Sequence, residues 1–289
     1  MSIIIHSRSE YLTPFFSRHY AQGHVHSVYR HTINLVMDSQ LISLQPLSSS
    51  FSPVTLAVAD EDFSTLAIAP GTAVHLAGNK LCCQTTNRAL SFDTARSHIL
   101  PSSLSACYPC DPRFLSAMAM HIISRSNADG FASLINRSYD HTDLILAAAK
   151  AFLVKTQHQL ENCHPAAAAE TLSQIIGLGI GLTPSGDDFL CGALAALRAC
   201  NLWQSLFSRS LRQILASRLS QTNPISAAFL RCALQSHFSP AVLQFFCDPL
   251  PLDDQTIQKR FEAIGHSSGM DTLCGISFAL SLESNGHLQ

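Results

Sequence analysis

Between residues 177 and 188 the chain reads Gly177-Leu178-Gly179-Ile180-Gly181-Leu182-Thr183-Pro184-Ser185-Gly186-Asp187-Asp188, glycine at alternate positions followed by a hydroxyl-rich helix start. Glycine takes positive φ without steric cost. Such a run can turn successive backbone amides to one side, forming an amide-lined nest beside the partly positive end of the next helix. A small anion suits that environment, with Gly179, Gly181, Gly186, Thr183 and Ser185 as its donors. The simpler alternative is a Gly-rich turn in which Gly177 ends the helix of residues 165 to 176. One C-cap glycine suffices for a turn, whereas this stretch has four glycines with hydroxyls between them.

The same helix start is written a second time. Ser185-Gly186-Asp187-Asp188-Phe189-Leu190-Cys191-Gly192 is matched by Ser268-Gly269-Met270-Asp271-Thr272-Leu273-Cys274-Gly275. Serine followed three residues later by an acid, ahead of an apolar run, is the pattern of a capping box, which accounts for Asp188 and Asp271 without chemistry. Asp187 is different, because its counterpart is Met270 and capping does not require it. It is a candidate catalytic group. With Asp188 it also forms a candidate pair of metal ligands, whose hard oxygens suit Mg2+. First-turn acids that complement the helix dipole are the alternative.

His266 falls opposite Thr183 when the copies are aligned, within Gly265-His266-Ser267-Ser268-Gly269. An imidazole beside a helix N-terminus tends to stay neutral and can exchange a proton with a substrate, so His266 is the second catalytic candidate. Ser267 and Ser268 are candidate substrate contacts. A third helix start lies in Thr222-Asn223-Pro224-Ile225-Ser226, where Asn223 can cap and Pro224 takes the first helical position. If the three starts converge, Thr222 and Ser226 join the pocket. Convergence itself is not readable from one sequence.

The elements that would position these groups fall into two kinds. From Val25 to about Gln84, short β-prone runs alternate with turn residues, as in Ile33-Asn34-Leu35-Val36-Met37 and Thr72-Ala73-Val74-His75-Leu76. Beyond Pro112 the chain turns to Ala- and Leu-rich segments with helical spacing: 114–125, 142–160, 165–176, 187–202, 203–219, 224–237, 257–264 and 271–282. The expected architecture is α+β: a small β-rich N-terminal domain over 1–110 and a larger, mostly α-helical domain over 111–289. Gly192, Ala195, Ala196 and Ala199 share a face, as do Gly275 and Ala279, so the two repeated helices are expected to pack closely as buried central helices.

At 289 residues the chain can bury a substantial core. Apolar residues make up 47% and charged residues only 13%, which suggests that other protein chains cover part of the surface. With 18 Lys plus Arg against 20 Asp plus Glu and no basic block, nucleic acid is not an expected partner. No apolar run reaches membrane-spanning length and no signal segment is evident, so a soluble cytoplasmic protein is expected. The ten cysteines then read as thiols in a reducing compartment. The lone pair Cys107 and Cys110 is a weak metal or redox pattern.

In the segments GLGIGLTPSGDDFLCGALAAL, TNPISAAFL and IGHSSGMDTLCG the chain resembles the bacterial AllH-type family, the third subunit of oxamate carbamoyltransferase from allantoin catabolism. VHSVYRHTINLVMDSQLISL is similar to the family's opening, and Ile180 departs from its pattern by standing where proline is expected. The resemblance implies a subunit working with two partners, one similar to acyl-CoA synthetase subunits. The implied reaction transfers a carbamoyl group between carbamoyl phosphate and oxamate or a related small acid, with oxalurate and phosphate on the other side in the case of oxamate. Two other readings stay open: a non-catalytic assembly subunit, and a Mg2+-dependent phosphate-ester or glycosyl hydrolase using Asp187, Asp188 and Asp271.

Overall fold

The computed structural model describes residues 2–59, 63–85, 88–107, 111–135, 142–247, 253–284 and 286. It divides into two compact units, Met1–Ser103 and Leu104–Gln289. The fold is mixed α+β, with strands in the first unit and helices dominating the second.

The N-terminal unit is one closed sheet. Its strands are β1 (Ser2–Ser9), β2 (Tyr20–Tyr29), β3 (Thr32–Met37), β4 (Gln40–Pro46), β5 (Thr55–Val58), β6 (Ala73–Ala77), β7 (Lys80–Gln84), β8 (Ala89–Asp93) and β9 (His98–Leu100), with a short helix α1 (Thr13–Phe16) after β1. The order β5-β4-β3-β2-β6-β7-β8-β1 closes on itself because β1 also pairs with β5, and β9 adds to β1. Pairing is antiparallel through the middle strands, with Leu35 opposite Val25 and Ile42. It is parallel where β1 meets β8, at Ile3 opposite Phe92. The interior is filled by alternate residues, among them Ile3, Ile5, Ile33, Leu35, Met37, Leu76, Leu81 and Phe92.

Strand structure thus extends beyond the expected span at both ends. The opening strand alternates inward Ile3 and Ile5 with outward residues, including Ile4 at 60% exposure. His6 and Arg8 interrupt its apolar run without interrupting that two-residue period. β8 and β9 lie beyond Gln84, where the expected run of strands ends.

The second unit begins at Leu104. Leu104 donates its amide to the Ser236 carbonyl and Cys107 to the Ala199 carbonyl, which ties this segment to helix ends. Its helices are α2 (Pro112–Arg125), α3 (Leu144–Glu161), α4 (Pro165–Leu172), α5 (Ser185–Ala199), α6 (Leu206–Arg218), α7 (Pro224–Leu234), α8 (Pro240–Cys247), α9 (Asp254–Glu262) and α10 (Ser268–Ser284). A short 3-10 segment, Gly130–Leu134, and helix α8 were not evident in the sequence pattern. Cys107 and Cys247 are joined as a disulfide with Cα atoms 5.9 Å apart, a correction to the expectation of thiols throughout. The other described cysteines form no disulfide, and Cys110 lies outside the described residues. Among the described residues no helix is long and apolar enough to cross a membrane.

At the centre, α5 and α10 touch backbone to backbone. A Cβ placed on Gly192 would lie 1.9 Å from the Thr272 carbonyl oxygen, and one on Gly275 would lie 1.9 Å from that of Phe189. These contacts map onto each other when residue 185 is matched to 268 and 192 to 275, so the sequence repeat is an approximate two-fold in space. The helices run side by side in the same sense, which brings both N-termini to one place.

Gly192→Ala and Gly275→Ala should each lower stability by about 3 kcal/mol or more, because a methyl group there meets a carbonyl oxygen rather than a yielding side chain. Gly71→Ala, with open space around it and only a positive φ to strain, should lose about 1 kcal/mol. Urea unfolding midpoints of the three variants measure the difference.

Candidate anion-binding site

The three helix starts converge. The Thr183 and Ser268 hydroxyls are 2.7 Å apart, joining the Gly-rich loop to the start of α10. At α7, Asn223 accepts from the amides of Ile225 and Ser226 at 3.0 Å while its own amide group donates to the Leu182 carbonyl at 2.9 Å. One residue therefore caps α7 and anchors the loop.

The loop carries the expected conformation, with φ of +70° at Gly177, +130° at Gly179 and +107° at Gly181. A side chain at Gly179 would strike the Ser185 amide, 2.6 Å away, whereas around Gly181 there is open space. Ile180, Gly181 and Leu182 are exposed, Ile180 by 85%. Among the described residues, the amides of Gly179, Ile180, Gly181, Leu182, Thr183 and Ser185 have no hydrogen-bond partner. The amides of Gly186, Asp187 and Asp188 are taken: Gly186 donates to Leu178, and the other two donate to Pro184. The free donors thus end at Ser185, and Gly186 is not among them.

Asp187 has a positioning task. Its Oδ1 accepts from the Gly177 amide at 2.8 Å, and its Oδ2 accepts from the Thr222 hydroxyl at 2.5 Å and the Ser226 hydroxyl at 2.6 Å. Both oxygens are engaged and the side chain is buried. Thr222 and Ser226, expected to face the ligand, give their protons to Asp187 instead. This is why the third helix start sits where it does: the carboxylate fastens the beginning of the loop to the beginning of α7.

The capping-box expectation for Asp188 and Asp271 is overturned. Helix α5 is preceded by Pro184 with no side-chain cap, and Ser185 is already inside the helix. Each acid instead reaches across the two-fold towards the other helix start. Asp188 lies beside Ser268 and Thr183, and Asp271 beside Ser185 and Ser267. Asp271 Oδ1 accepts from the Phe131 amide at 2.7 Å, and a side chain at Gly130, φ +76°, would strike the Asp271 carboxylate and the Ser185 hydroxyl. Neither Asp188 Oδ2 nor Asp271 Oδ2 has a hydrogen-bond partner.

Burial dominates the electrostatics of the pair. It lifts the Asp271 carboxyl to about 6, against the pull of the Ser185 hydroxyl and the Phe131 amide. It lifts Asp188 well above the ordinary carboxylate range, opposed by the Ser268 hydroxyl and reinforced by the charge of Asp271. Phe131, Phe189 and Phe278 help line a separate apolar cavity of about 300 Å³. His266 is exposed on the segment before α10 and has no hydrogen-bond partner among the described residues; Ser267 and Ser268 beside it are half-buried.

Residues 175–280, which contain all of these helix starts, match the family described as oxamate carbamoyltransferase subunit AllH, and residues 5–99 match the AllH family N-terminal domain. The chain belongs to the AllH family. No solved structure matches it. The first match begins at the end of the helix preceding the Gly-rich loop and ends inside α10, so the AllH segment coincides with the converging starts and the α5–α10 contact. Its description also places AllH proteins as subunits of a larger assembly.

Two outcomes follow from the site's bonding. Asp187→Ala removes an acceptor shared by three donors and should destabilise the protein by about 3 kcal/mol, with Asp187→Asn losing less. Because Asp271 binds its proton more tightly when folded, its contribution is fully present below about pH 4 and is lost as pH rises through about 6. That loss amounts to about 3 kcal/mol. Stability profiles in EDTA-containing buffer should be flatter over this window for Asp271→Asn than for the parent.

Proposed function

We propose that this AllH-family chain is the anion-binding subunit of an oxamate carbamoyltransferase complex, holding phosphate or carbamoyl phosphate on the Gly179–Thr183 loop. The single observation that supports this most is the run of unpartnered backbone amides where three helix N-termini meet. Gly179 and Thr183 are half-buried and Ser185 is buried, where amide groups ordinarily find partners, and aligned helix starts favour negative charge. A neutral ligand would leave that positive potential unanswered.

In this reading the oxamate nitrogen attacks the carbamoyl carbon, the bond from that carbon to the phosphate oxygen breaks, and inorganic phosphate leaves with the electron pair. Loop amides, that of Ser185 among them, and the Thr183 hydroxyl stabilise the charge that grows on the phosphate. His266 takes the proton released by the attacking nitrogen, and Ser267 and Ser268 orient the acceptor. Asp187 acts through the loop rather than on the substrate. The chain works in the cytoplasm with other subunits, one of them similar to acyl-CoA synthetase subunits.

A second reading, in which the chain assembles the complex without binding substrate, is favoured by Ile180 and Leu182, which are 85% and 54% exposed at the loop's tip and offer apolar contacts to a partner. Ligand-induced stabilisation separates the two. Carbamoyl phosphate at about a hundred times its Kd should stabilise the isolated chain by roughly 2.7 kcal/mol. Gly181→Val, which strains the loop without an internal clash, should remove most of that shift. No shift from either carbamoyl phosphate or phosphate, with complex formation intact, would leave the assembly reading standing.

A further inference from the structure

Asp188 and Asp271 come from different copies of the repeat, are 9% and 0% exposed, and each keeps one carboxylate oxygen with no hydrogen-bond partner. Buried polar atoms in native proteins are nearly always satisfied, so two orphaned oxygens in one cluster call for a bound group. Among the described residues no ion pair involves either acid. The groups around them supply oxygen: the hydroxyls of Thr183, Ser185, Ser267 and Ser268. Asp187 is not available to such a group, since both its oxygens are engaged.

We propose that Asp188 and Asp271, helped by the hydroxyls of Ser185 and Ser268, hold a hard divalent cation of the Mg2+ kind, whose coordination is completed by an oxygen of the anion on the Gly-rich loop. The inference rests on the loop being the anion site. Mg2+ is characteristically held by one or two carboxylates plus phosphate oxygens and water rather than by an all-protein cage. Among the described residues no group of three or more His, Cys, Asp or Glu is placed for a metal, so the two acids need oxygens from outside the protein to complete the coordination. A cation beside the two acids offsets the cost of burying their charge and the repulsion between them, and it cancels charge that the anion brings. The 2.7 Å bond between Thr183 and Ser268 lies over Asp188 and joins the loop to the cation's ligands. Cation and anion therefore bind as a linked pair.

Calorimetric titration of the full chain with inorganic phosphate, in EDTA and in millimolar Mg2+, tests this. Mg2+ should tighten phosphate binding at least tenfold, and phosphate should tighten Mg2+ binding by the same factor, as linkage requires. Asp188→Asn and Asp271→Asn should bind phosphate with an affinity independent of Mg2+. Equal phosphate affinity in EDTA and in Mg2+ for the parent protein overturns the cation site while leaving the loop reading intact. Phosphate binding under neither condition overturns the loop reading and the cation site with it. Should the asparagine variants not fold, Mn2+ paramagnetic resonance on the parent decides: phosphate should quench the free-ion signal, and an unchanged signal overturns the proposal.

Discussion

The helical unit depends on one contact, the direct approach of the α5 and α10 backbones at Gly192 and Gly275. With each glycine facing the other helix's carbonyl, no side chain can separate them. A glycine in mid-helix costs about 1 kcal/mol relative to alanine, and the close packing it permits offsets that loss. Gly186 and Gly269 extend the same device to the helix starts, where added side chains would meet the carbonyls of Ile175 and Phe261. Gly192 and Gly275 thus set the spacing of the two central helices, and Gly186 and Gly269 seat each helix start against the segment that precedes it.

That geometry has an electrostatic consequence. Two helices running in the same sense place their positive ends together, and α7 adds a third through Asn223 and Asp187. Like ends repel unless negative charge lies between them. Within the protein, Asp187 supplies part of it as a fully bonded carboxylate, while Asp188 and Asp271 supply more only to the extent that burial lets them ionise. The remaining potential falls on the Gly-rich loop, whose free amides stop at Ser185. Membership of the AllH family and the anion reading meet at this loop, because the AllH match begins at the end of the helix preceding it.

Much of this was legible in the residues. The two-part α+β organisation, most helices, the positive φ of the alternating glycines and the close pairing of the repeated helices all follow from local rules of spacing and steric freedom. What was missed had weak local signals. β1 alternates correctly but is interrupted by His6 and Arg8. Helix α8 and the Gly130–Leu134 turn are short, and the latter matters only because its Phe131 amide reaches Asp271, 140 positions away.

The roles of the acids show where local reading stops. Sequence alone determined that serine and aspartate recur three apart at two helix starts, since that spacing is a property of the chain. Only tertiary structure decided that each aspartate answers the other helix's serine, and that Asp187 binds Gly177, Thr222 and Ser226 rather than a guest. The reason is physical: a carboxylate pairs with whichever donors are nearest in space, and at the α5–α10 crossing the nearest donors belong to a different segment.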